Sequence, residues 1–168
     1  VARNVYLPRK SPGQLSLLSL FIVFVATDGF SLYMYLLEPF IFLLVPIIIV
    51  FLLCAVFLVL IVGLSSMRYA ITDDALEASC SFFLKYKIPL NSIQRIVKRD
   101  LAISMWSSFR LPGMALFTVP YADVGNVKMC ATSASKDILL IETSSGLYGV
   151  TPRDEETFMT DIRHRIHE

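Results

Sequence analysis

The chain has 168 residues, 55% of them hydrophobic, with a formal net charge of +1 and a mean hydropathy of +0.65. Such hydropathy lies outside the range of an ordinary soluble domain, and the near-neutral charge excludes the basic footprint that nucleic-acid binding requires. From Ser65 onward twelve Lys/Arg face twelve Asp/Glu, so the excess apolarity belongs to the first third, and the balanced remainder can bury one modest core.

Residues 1–14 carry Arg3, Arg9 and Lys10 among Pro8 and Pro12 and predict an extended arm. Valine at position 1 reads as an N-terminus left by methionine removal, and no cleavable signal peptide is expected. Residues 15–64 hold only two charges, Asp28 and Glu38. They divide at Glu38 and Pro39 into apolar segments of about 15–37 and 40–64, each meeting the roughly 20 residues a bilayer core takes as helix. Lipid offers the backbone no partners, so an open chain crosses it as helix. A two-helix transmembrane hairpin is predicted. Arg3, Arg9 and Lys10 precede it and Arg68 follows it, whereas the connection has Glu38 and no base. That asymmetry predicts cytoplasmic N- and C-termini.

Asp28 falls near the middle of the first span, where a carboxylate costs on the order of 3 kcal/mol. A proton relay would need a second carboxylate, His or Lys in the membrane, and none accompanies it. Contact with a partner helix, or local satisfaction by Thr27, Ser31 or backbone, is the expectation. Tyr33 and Tyr35 suit an interfacial aromatic belt. In the second helix Pro39 takes the start, where its missing N–H costs nothing, and Pro46 predicts a bend. The run is rich in Phe, Leu, Ile and Val without a small-residue stripe for close pairing. It suits lipid, bulky neighbours, or the pigment or quinone tails of neighbours, and not an ion path.

After residues 63–66 the pattern changes to alternation. Residues 67–72, 76–84, 86–88 and 93–97 read as strands, with a tight turn at Asp73-Asp74-Ala75. Residues 101–113 are irregular. Residues 115–121 and 127–132 flank a turn at Gly125-Asn126, and 138–142 and 147–150 flank another at Ser144-Ser145-Gly146. About seven short strands at this spacing predict a sandwich or partly open barrel. A helix over 152–167 closes the chain, with Thr151 as cap, Pro152 in the first helical position, acidic residues at its start and Arg163, His164, Arg165 and His167 at its end. Phe158, Ile162 and Ile166 form its apolar stripe.

Residues 69–74 and 88–93, with 110–113, 128–132 and 151–158, resemble the sequence of bacterial pleckstrin-homology-like domains in the same order. Members of that family often carry two transmembrane helices before the domain. The resemblance, over about 67–166, implies a seven-stranded bent sheet capped by a C-terminal helix, here a cytoplasmic domain over 65–168 on a bacterial inner membrane. It implies little chemistry, because fold does not set function. The lipid-headgroup role of eukaryotic relatives does not transfer, since their basic first loop is replaced by Asp73-Asp74. Lys85, Lys87, Arg95, Lys98 and Arg99 are read as solvated strand faces in preference to a lipid-resting patch.

No phosphate cradle, nucleophile elbow or dinucleotide motif occurs. His164 and His167 stand at i, i+3 without further ligands, and Cys54, Cys80 and Cys130 form an odd, spread set that reads as buried thiols. No catalytic residue, metal or cofactor is therefore expected. Residues 101–113 concentrate Trp106, Phe109 and Arg110, which reads equally as an interface, where such types are enriched, or as a loop that folds its own aromatics into the barrel. The expected function is a non-catalytic accessory subunit of a larger membrane complex of respiratory or photosynthetic type. Its contact candidates are Asp28, Trp106, Phe109 and Arg110, and its partners are lipid and other membrane subunits. The alternative is a membrane-anchored sensor or lipid- or ligand-binding module.

Overall fold

The computed structural model describes residues 4–103, 110–111 and 113–166. They form two compact units, residues 14–65 and, separately, residues 4–13 with 66–166. The first is helical. Helix α1 spans Pro12–Leu37, with its first turn reaching back into the other unit, and α2 spans Leu44–Ser65 after a 3-10 turn at Ile41–Leu43. Both are long and apolar enough to cross a membrane. The 3-10 turn changes the role expected of Pro46. Because the α-helix begins only at Leu44, Pro46 falls in the first turn, where a backbone N–H would have no intrahelical acceptor.

The second unit is mainly β. Its described residues form ten strands: β1 Asn4–Tyr6, β2 Arg68–Ile71, β3 Ala75–Cys80, β4 Leu84–Pro89, β5 Ile93–Arg99, β6 Arg110–Leu111, β7 Met114–Tyr121, β8 Gly125–Ala131, β9 Ile138–Thr143 and β10 Gly146–Val150, followed by helix α3, Glu155–Ile166. They make two open sheets, β1-β2-β3-β4 and β5-β9-β10-β8-β7-β6, and neither closes into a barrel. All neighbours are antiparallel except β10 and β8.

Ten strands replace the expected seven or so partly because the N-terminal arm is itself structural. Val5 pairs with Ala70, Pro8 bridges to Pro152, and the Arg9 N–H donates to the Thr151 carbonyl at 2.9 Å. The strand expected over 76–84 is also divided. Ser81, Phe82 and Phe83 turn the chain between the Cys80–Leu84 pair; Ser81 is a customary turn residue, whereas the two phenylalanines are not.

Strand β9 is the sheet's most buried run, with Ile138, Leu139, Leu140 and Ile141 all sealed from solvent. Side chains alternate across a strand, so covering both faces requires an uninterrupted apolar stretch. Ile138 and Leu140 join a cluster that includes Leu101, Val119, Val127 and Met129. Gly149 of β10 belongs to this packing, because a Cβ there would collide with the Met129 side chain.

Helix α3 buries Phe158 and Ile162. Phe158 meets the ring of Tyr6 edge-on at 5.2 Å and that of Tyr69 at 6.2 Å, which seats the helix on β1 and β2. Its start differs from expectation. Asp154 caps it, accepting from the Thr157 N–H at 3.2 Å and from the Thr157 hydroxyl at 2.8 Å. Thr151 is unavailable for capping because its hydroxyl is occupied in the interior.

Candidate functional site

That interior is polar at one point. The Tyr69 hydroxyl donates to the Cys130 carbonyl at 2.7 Å and accepts from the Thr151 N–H at 3.2 Å. The Thr151 hydroxyl oxygen accepts from the Thr132 N–H at 2.8 Å, and the Thr132 hydroxyl donates to the Arg9 carbonyl at 2.7 Å. Burial drives the Tyr69 phenol strongly upward, so it stays a neutral hydroxyl. The group is a structural knot tying arm, β2, β8 and the approach to α3. Cys80 is pushed up to about 11 by burial, and Cys130 is raised for the same reason, first burial and then the neighbouring Cys80. Neither thiol suits nucleophilic work, which needs the thiolate.

Around the knot the arm is held by charge. The Arg9 guanidinium donates to the Asp137 carbonyl at 2.6 Å and lies 3.6 Å from its carboxylate and 3.8 Å from that of Glu155. Lys98 reaches Glu155 at 2.8 Å and Asp137 at 3.5 Å. Two bases and two acids thus share one site. Asp161 of α3 accepts from the Tyr6 hydroxyl and from the Asn4 amide, the latter at 2.7 Å. Those two hydrogen bonds hold the Asp161 carboxyl below its usual range. Partial burial, then the hydrogen bond and charge of Asp161, pushes Tyr6 up to about 12.

Of the basic residues considered for a lipid-facing patch, three are engaged elsewhere: Lys85 with Glu77 at 3.3 Å, Lys98 as above, and Arg99 with Asp123 at 2.8 Å. Lys87 and Arg95 are exposed on β4 and β5, strands of different sheets. Exposed pairs of this kind contribute little to stability.

The site residues expected from sequence fall in different places. Trp106 and Phe109 lie outside the described residues, as does Arg3, and Arg110 is described only as backbone in β6. His167 is likewise outside. Arg68 and Lys10 are exposed, whereas Arg9 belongs to the charge cluster. Asp28 lines a recess between α1 and α2, and its Oδ1 is buried with no hydrogen-bond partner. The hydroxyls expected to serve it do not. Thr27 donates to the Val23 carbonyl and Ser31 to the Thr27 carbonyl, each at 2.9 Å. Among the described residues no three of His, Cys, Asp and Glu converge as a metal site would require.

One feature of the β unit escaped the sequence reading. Phe82, at the β3–β4 turn, is 86% exposed. Its ring stacks edge-on against Phe83 at 5.6 Å, and Phe83 approaches Phe117 at 6.3 Å. Ser81 and Phe117 both have positive φ, 53° and 63°. A non-glycine residue there is held against a local penalty, and Phe82 is an exposed aromatic beside Ser81 at the same turn. The available signal was Phe82-Phe83 itself, two adjacent aromatics beside Ser81.

Comparison with known proteins places the fold. No curated protein and no solved structure matched the chain. Residues 67–166, which run from just before β2 to the end of α3, match the family described as Bacterial PH domain. Strand β1 and the helical unit lie outside that stretch, although β1 extends the first sheet. The match takes in well over half of the chain, which therefore belongs to the bacterial PH domain family.

Proposed function

We propose that this protein is a non-catalytic, membrane-anchored interaction subunit, with α1 and α2 forming a transmembrane hairpin and the PH-like domain contacting a partner on the cytoplasmic side. The observation carrying this reading is the point at which the helices enter the chain. Strands β1 and β2 are antiparallel neighbours, and the segment joining them contains the whole helical unit. Two residues separate α2 from β2, and five separate β1 from α1. Strands that pair lie on one side of a membrane, so the intervening chain must cross an even number of times, and two spans satisfy that. The domain is then tethered at both ends of the hairpin.

Phe82 supplies the recognition element, an aromatic side chain presented on a turn with its neighbour as backing. Trp106, Phe109 and Arg110 join it on residue type alone. The test is native-size analysis of the protein from its own membranes in mild detergent, with identification of comigrating subunits. A defined large particle is expected, and the comigrating subunits name the process. Phe82→Ser is expected to leave stability within about 0.5 kcal/mol, as for a surface substitution, while releasing the partner. Migration as a lone chain in the wild type would overturn the subunit reading.

A further inference from the structure

Asp28, the one ionisable side chain near the middle of α1, lines an open recess, and the two facts explain each other. Phe24 and Phe57 bring their rings within 5.4 Å between the helices. One turn away, the facing positions are Gly29 on α1 and Cys54 and Ala55 on α2, all small. Small residues ordinarily let helices close up, but two phenyl rings at the adjacent level keep these apart. The result is a recess of about 460 Å³, within the roughly 300–1,000 Å³ of small-molecule sites.

Along α1 it extends from Phe21 to Leu32, about 16 Å at helical rise. That is half of the roughly 30 Å a partner helix would follow through a bilayer. The lining is apolar except for Asp28, whose Oδ1 is the orphan acceptor. A buried acceptor left unpaired bears its full desolvation cost, and an occupant with one donor would remove it. A hydroxyl donates to a carboxyl oxygen in either of its protonation states.

We propose that this recess binds a lipid-soluble molecule with an apolar body of isoprenoid or ring size and one hydroxyl group that donates to Asp28 Oδ1. The proposal rests on the membrane reading above. The test uses the full chain in phosphatidylcholine vesicles, with resistance to alkaline carbonate extraction as the check of insertion. The probe is a diazirine-bearing farnesol, and the competitors are farnesol and its methyl ether, which lacks the donor.

Adducts are expected within residues 21–32 and 51–58, reduced at least tenfold by excess farnesol and less than twofold by the ether. Ala55→Phe, which fills the recess, should abolish labelling. Asp28→Leu should abolish the preference for farnesol over the ether, and Asp28→Asn, which keeps an acceptor oxygen, should restore part of it, all three variants remaining carbonate-resistant. Adducts spread over both helices and indifferent to Ala55→Phe would overturn the proposal, as would equal competition by the ether. No labelling, together with loss of a comigrating subunit on Asp28→Leu, would assign the recess to a partner helix instead. Release by carbonate would overturn the membrane reading and the proposal with it.

Discussion

The two units arrange polarity in opposite senses. In the β unit Tyr69, Ile71, Leu76, Ile88 and Phe158 are sealed inside, while Lys85, Arg99 and Asp137 meet their ion-pair partners near the surface. In the helical unit Ile22, Val23, Phe51 and Leu52 point outward, and the buried orphan is a carboxylate oxygen. On the membrane reading proposed above, both arrangements keep apolar surface out of water, the β unit by burying it and the helical unit by turning it toward lipid. The difference teaches that a residue's burial has meaning only with its solvent specified. On that reading an exposed leucine on α2 does the work that a buried leucine does in β9.

The comparison breaks most sharply by exchanging the rule. Phe158→Ala should cost about 3–5 kcal/mol in the β unit, the usual range for deleting a fully buried phenyl ring, read as a loss in thermal stability of that unit. Leu52→Arg should cost about 3 kcal/mol of insertion, as a base near a span's centre does, with little effect on the β unit's melting. Carbonate extraction measures it, with Leu52→Ala as control. Comparable damage to the β unit from both substitutions would mean that the units do not answer to different solvents.

A smaller effect tests the junction of arm and sheet. Gly113 has φ +78°, and a Cβ there would collide with Ser11 Oγ and the Gly13 backbone. Its carbonyl also accepts from the Ser11 hydroxyl at 2.6 Å, and the same oxygen of Ser11 accepts from the Gly13 N–H at 3.0 Å. Gly113→Ala should cost about 1–3 kcal/mol from the backbone conformation alone, seen as a lowered melting temperature and faster proteolysis of the arm.

The mildest prediction concerns pH. Asp161 has a lowered folded-state value, so its contribution is present above the ordinary carboxylate range and is lost as pH falls through that range and below. Tyr6 is raised to about 12, so its contribution is present below about 10 and is lost as pH rises toward 12. Attachment of the arm to α3 should therefore be steady between these limits and weaken on both sides. Asp161→Asn should flatten the acid limb of a melting-temperature profile and shift the alkaline one, with no comparable change in the helical unit.

Much of this was legible in the residues. The apolar runs, Glu38 and Pro39 between them, the β alternation and the terminal helix all depend on local composition and period. The Thr151 cap did not survive, because Ser, Thr and Asp all serve that role and Asp154 competes three residues later. The ten-strand count was out of reach because β1 is recognisable only when β2 lies beside it, with the helical unit intervening in sequence. The turn at Ser81, Phe82 and Phe83 escaped because two adjacent phenylalanines read as a continuing strand.

By itself the sequence determined which segments are apolar throughout and which alternate, and hence two units suited to different solvents, along with membership of a family. Only the tertiary structure decided that the arm is a strand of the first sheet, that Thr27 and Ser31 leave Asp28 unserved, and that Phe24 meets Phe57 between the helices that line the recess. The reason is range. Hydropathy and period are properties of neighbours along the chain, whereas strand pairing, hydrogen-bond competition and voids arise between residues that folding brings together.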